Sequence, residues 1–167
     1  MPMGRLAILA LRVVIVLAFT GLLFVQGFLM PLLGIDLQEA GPEVAHLRWT
    51  LPVIGALAAL CGQVALVGIW RLVTMVRRDT VFSTKAFRYV DVVIGAAVAA
   101  TLLAVVLSFV LAPGEAVPPG MVMLVVIGGV GTALIALVVF VLRMLLLQAV
   151  ALDTTATTLR AELDEVI

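Results

Sequence analysis

The strongest constraint on this chain is where charge is absent. Residues 13–33, 51–70, 92–114 and 116–142 form four runs without a charged side chain, of 21, 20, 23 and 27 residues. A helix rises about 1.5 Å per residue and the hydrocarbon of a bilayer is about 30 Å thick, so roughly 20 apolar residues cross it. Each run is long enough. In hydrocarbon a backbone must pair its own N–H and C=O groups, which leaves helices or closed barrels. These runs are continuous, rich in Leu and Ala, and lack the alternation of barrel strands. The sequence predicts an all-α, polytopic integral membrane protein with four transmembrane helices near 8–33, 51–74, 88–112 and 121–152. The prediction is a single domain over 1–167, with a cytoplasmic amphipathic tail over 153–167.

Composition narrows the function classes. The 167 residues are 65% hydrophobic and 12% charged, with a mean hydropathy of +1.34, so too little chain lies outside the membrane for a second folded unit with its own core. Ten basic and ten acidic side chains cancel, leaving no basic field for nucleic acid. The lone Cys61 and the lone His46 form no Cys/His cluster for a metal. Phosphate-binding glycine loops, HExxH and nucleophile elbows are absent, so the expectation is a protein that is not an enzyme and needs no cofactor. The first run is too long for a signal peptide and no small-residue cleavage site follows it, so it is expected to stay as a helix.

Orientation follows from the basic residues. Arg5 and Arg12 precede the first run, Arg71, Arg77, Arg78, Lys85 and Arg88 lie between the second and third, and Arg143 and Arg160 follow the fourth. Arg48 alone lies on the other side, with Asp36, Glu39, Glu43 and Glu115. Both termini and the central loop are therefore expected in the cytoplasm. Trp49 and Trp70 bracket the second helix at about 31 Å, one at each interface.

Within the membrane the candidates are few. Arg12, Arg71, Asp91 and Arg143 sit at helix ends on the expected cytoplasmic side, where they anchor the helices and are placed to form a charge network. Gln26 and Gln63 are the deepest polar groups and need partners across a helix interface. Gly128, Gly129 and Gly131, with Gly95, Ala96, Ala99 and Ala100, give small-residue spacings expected to serve packing of the third and fourth helices.

The C-terminal segment carries a second pattern. Leu145, Ala149, Leu152, Ala156, Leu159, Leu163 and Val166 recur at alternating spacings of four and three, as in a heptad seam, so the fourth helix is expected to extend into the cytoplasm. Its paired threonines, at 154–155 and 157–158, weaken helix propensity and make that extension marginal. Leu152, Leu159, Leu163 and Val166 are the candidate partner-binding residues.

With VFSTKAFRYVD after the second helix, APGEAVPPG between the third and fourth, and RMLLLQAVALDTTATTLRAELDEVI at the end, the chain resembles a bacterial family of small four-helix membrane proteins classed as a domain of unknown function. The resemblance is greatest to its actinobacterial branch. Relatives are often encoded beside a helix-turn-helix regulator of the Cro/CI type, which the resemblance implies as a partner. It carries over no catalytic residues. The expected function is regulation, tethering or sensing for such a regulator. The alternative is a small transporter or an accessory subunit of a larger membrane complex. Expected partners are thus the lipid bilayer, the regulator or other membrane subunits, and a further copy of the chain, with no direct binding of nucleic acid.

Overall fold

The structure, a computed structural model, describes residues 2–76, 84–112 and 117–166. Arg77, Arg78, Ser83 and Glu115 lie outside the described residues, as do the side chains of Arg5, Glu43, Lys85, Leu163 and Val166. Every regular element described is helical: α1 (Pro2–Phe24), a π-helical turn (Val25–Leu29), α2 (Met30–Glu39), a short 3-10 turn (Pro42–Val44), α3 (Leu47–Val76), α4 (Thr84–Leu111) and α5 (Pro119–Val166). The first three join end to end as one rod. Four helices are thereby long and apolar enough to cross a membrane, so the protein is a multi-pass membrane protein by the length and composition of its helices.

The helices overshoot the apolar runs. α5 alone has 48 residues, about 72 Å at the helical rise and more than twice the hydrocarbon thickness. Its threonines do not end it. Thr154, Thr155, Thr157 and Thr158 each donate the hydroxyl to the carbonyl four residues back, at 2.8–3.0 Å, which satisfies them without leaving the helix. The one connection between the first rod and α3 is tight: Gly41 takes a left-handed φ of 107°, and the 3-10 turn starts at Pro42 where its fixed φ suits a first turn.

Helix order in space follows chain order. α3 contacts α1, α2 and α4, while α4 contacts α5, and no comparable contact joins α1 to α4 or α5 among the described residues. The result is a row with α3 and α4 inside and α1 and α5 at its ends. Burial is greatest on α3, the helix with the most neighbours: 22% of its apolar window is buried, against 11% for α4, 11% for α5 and 6% for the first rod. The remaining apolar surface, including Leu17, Phe109, Leu124 and Leu137, faces outward and is matched to lipid rather than to a protein core.

The closest backbone approaches fall on α3. A Cβ at Gly68 would stand 2.7 Å from Val93 Cγ2 on α4, one at Gly62 3.1 Å from Leu22 on α1, and one at Gly55 2.7 Å from Met30 Sδ. On the α4–α5 seam Gly129 does the same toward Ala104 Cβ at 2.9 Å, but Gly95, Gly128 and Gly131 have no atom within 4 Å of such a Cβ. The small-residue pattern expected for the last two helices therefore narrows to Gly129, and the hub helix carries the rest. Near that seam Thr101 and Thr132 bring their hydroxyls to 3.0 Å, a polar contact between helices of the kind favoured in hydrocarbon.

Because the neighbour of Gly68 is a stiff β-branched side chain, Gly68→Ala should cost about 1–3 kcal/mol by forcing α3 and α4 apart. Gly95→Ala, with open space around it, should leave stability unchanged. Unfolding of the detergent-solubilised chain by added sodium dodecyl sulfate, followed by tryptophan fluorescence, measures both.

Candidate functional site

The π-helical turn is the structural irregularity nearest the membrane centre, and its cause is local. Pro31 has no N–H for the carbonyl of Gly27 and its ring crowds that carbonyl, so a regular α-turn cannot close there. The chain widens instead, and Met30 donates its amide to the Val25 carbonyl five residues back. Such single π-turns recur at functional positions in helices.

Widening also changes which residues share a face. In a regular α-helix Leu22, Gln26, Met30 and Gly34, spaced by four, would drift about 120° around the axis; one residue absorbed in a wide turn reduces this to about 20°. All four then meet α3. Leu22 packs on Gly62, Met30 on Gly55, and Gly34 lies against the Arg48 carbonyl and Pro52. Gln26 donates from Nε2 to the Ala56 carbonyl at 3.0 Å and accepts at Oε1 from Gln63 Nε2 at 2.8 Å. Gln63 is 7% exposed, so this polar lock satisfies an amide that would otherwise be costly to bury.

From the lock a groove of about 430 Å³ opens along α2 and the first half of α3. Its floor is Gln26, its walls include Met30, Ile35 and Val53, and Arg48 and Trp49 stand at its mouth. The Arg48 guanidinium lies 5.2 Å from the Trp49 ring and forms no ion pair among the described residues. At the opposite end of the same interface Arg12 lies 5.0 Å from the Trp70 ring and donates to Thr74 Oγ1 at 3.3 Å.

The four charged candidates do not gather. Arg143 and Asp91 pair across α4 and α5: Nη2 donates to Oδ2 at 3.1 Å, and Nε stands 2.6 Å from Oδ1 without hydrogen-bond alignment. With the Asp91 side chain 51% exposed, such a pair contributes about 0–1 kcal/mol. Arg12 belongs to α1 and stays with Trp70, and Arg71 is exposed with no ion pair among the described residues. The cause is the row: α1 and α5 lie at opposite ends, so residues at one depth face different neighbours.

A family model described as a protein of unknown function, DUF2975, matches residues 32–167. The chain belongs to this family. No curated protein and no solved structure matches it. In this DUF2975 member the matched region begins one residue after Pro31, so Arg48, Trp49 and Gln63 fall within it, and the π-turn with Gln26 precedes it.

The last helix of the DUF2975 region holds the remaining candidates. Val122, Val125, Gly129, Thr132, Ala136, Val139, Arg143, Leu146 and Val150, shielded together with the flanking Gly131 and Ala133, trace a seam of alternating threes and fours against α4. Carried past Val150, that seam reaches Asp153, Thr157 and Arg160, all exposed. The apolar stripe of Leu145, Ala149, Leu152, Ala156 and Leu159 lies one residue earlier, about 100° around the helix, and every member is exposed. Sequence periodicity shows both stripes; only contact with α4 shows that they are different faces. Among the described residues no group of three His, Cys, Asp or Glu side chains is placed to hold a metal ion.

If Pro31 holds the turn open, Pro31→Ala restores the missing amide, lets the turn close and rotates Met30 off α3. In a Cys61→Ala background, Met30→Cys and Gly55→Cys should crosslink readily with a short thiol reagent, and adding Pro31→Ala should lower the yield severalfold. Gel mobility of a loop-cleaved chain reads the crosslink.

Proposed function

We propose that this DUF2975 member is a non-enzymatic protein of the bacterial plasma membrane that holds a cytoplasmic partner on the projecting half of α5. The observation that carries this reading is the second stripe. Leu152 and Leu159 are 71% and 54% exposed on a helix whose α4-facing seam has already turned polar. A strict seam of fours and threes outside the membrane suits a partner helix better than lipid.

The distribution of Lys and Arg supports cytoplasmic termini, an orientation in which a soluble regulator reaches this face. The partner is a helix-turn-helix regulator of the Cro/CI type, the association that the family resemblance and its actinobacterial branch imply. Arg71 and Arg88, with the other bases of the central loop, give that side a positive rim for an acidic partner. The protein itself needs no contact with nucleic acid in this arrangement.

A second reading, an accessory subunit of a larger membrane complex, is favoured by the row. The outward faces of α1 and α5 are bare along their membrane halves, as Leu17 and Leu137 show, and a further copy or another membrane subunit fits against them without disturbing the α3–α4 centre.

Removal of 153–167, or the pair Leu152→Asp with Leu159→Asp, should release a co-expressed regulator of the Cro/CI type from the membrane fraction into the soluble fraction. The membrane protein itself should stay in the membrane. Retention of the regulator with both variants would overturn the tethering role.

A further inference from the structure

The groove at the Arg48 end has the length and volume of one lipid acyl chain in one leaflet. Along the rod it runs from Gln26 to Gln38, twelve residues or about 18 Å, close to half of the hydrocarbon thickness. Its volume of about 430 Å³ lies within the range of pockets that enclose small ligands. Its lining is almost wholly apolar between the floor and the mouth, and the amide of Gln26 at the floor is already engaged by Ala56 and Gln63. Nothing along its walls asks for a polar ligand.

The mouth differs in chemistry. Arg48 and Trp49 stand there together, Trp49 is 70% exposed, and the guanidinium has the indole as neighbour and no carboxylate partner among the described residues. Arg48 is also the one base of the chain on its side of the four apolar runs. An interfacial tryptophan marks headgroup depth, and a guanidinium offers a forked set of donors suited to phosphate oxygens. We infer that the groove binds one anionic phospholipid, with its phosphate on Arg48 and an acyl chain running down past Met30, Ile35 and Val53 to Gln26. This assignment stands apart from the tethering role on α5, and it holds for whichever leaflet meets the Arg48 end.

Two tryptophans make the test direct. The full-length Trp70→Phe variant leaves Trp49 as its single tryptophan, excited selectively over Tyr89 at the red edge, and is reconstituted in phosphatidylcholine vesicles containing a minor fraction of either phosphatidylglycerol or phosphatidylcholine brominated at mid-chain. Brominated phosphatidylglycerol should occupy the site roughly fivefold more readily than brominated phosphatidylcholine, the advantage expected of one base against an anionic headgroup. Arg48→Gln should equalise the two lipids, and Arg48→Lys should retain part of the preference.

Gly34 supplies the independent arm. A Cβ there would sit at ordinary contact distances of 3.6–3.7 Å from the Arg48 carbonyl and Pro52, and a larger side chain extends into the groove that Gly34 lines. Gly34→Leu should therefore lower quenching by both lipids while leaving Arg48 in place. Equal quenching by the two lipids in the parent variant, a preference that survives Arg48→Gln, or quenching untouched by Gly34→Leu would each overturn the assignment.

Discussion

A polar group in hydrocarbon has only the chain itself for a partner, and the arrangement of the first rod on α3 follows from that rule. Pro31 leaves the Gly27 carbonyl without its usual donor. The turn widens, and the widened turn aligns Leu22, Gln26, Met30 and Gly34 toward one neighbour. Gln26 then meets both the Ala56 carbonyl and Gln63, so a proline that disrupts the α-helical pattern also sets the register of two helices. Apolar packing cannot fix that register by itself, because lipid tails are as apolar as the side chains they would replace. Close approach at Gly55 and Gly62 and hydrogen bonding at Gln26 and Gln63 therefore act together: the glycines bring the backbones near enough for the amides to reach.

What the sequence reveals tracks what the bilayer dictates. Four charge-free runs are legible because hydrocarbon thickness fixes a length, and the all-helical architecture follows from them. Azimuth is harder to read. Arg12, Arg71, Asp91 and Arg143 share a depth, yet a row of helices separates Arg12 from Arg143, and depth alone does not reveal neighbours. Gly128, Gly129 and Gly131 stand out as a cluster, but close approach is needed most on α3, which meets α1, α2 and α4, and its Gly55, Gly62 and Gly68 are too dispersed to form a recognisable motif. The two glutamines are conspicuous in apolar runs; their meeting depends on a wide turn whose only trace in the sequence is Pro31. The groove left no periodic signal at all, since it is a space between α2 and α3 rather than a pattern along either.

The row also separates the protein into regions with different tasks. Its centre, α3 against α4, is the best-buried part and contains Gly68 and Val93 in direct approach. One end of the α1–α3 interface opens as a groove at Arg48 and Trp49, and the far half of α5 carries an apolar face that α4 does not use. The Gln26–Gln63 lock lies where the groove begins, so the floor of the lipid site and the joint between the first two transmembrane segments are built from the same side chain.

That joint is measured most directly by a double-mutant cycle on Gln26→Leu and Gln63→Leu, with stability read by unfolding of the full chain in mixed micelles. A shared hydrogen bond at this depth predicts a coupling of about 0.6–1.7 kcal/mol, the two single substitutions together costing more than the double. Strictly additive costs, with a coupling inside about 0.3 kcal/mol of zero, would contradict the lock and with it the account of how the first rod is held on α3.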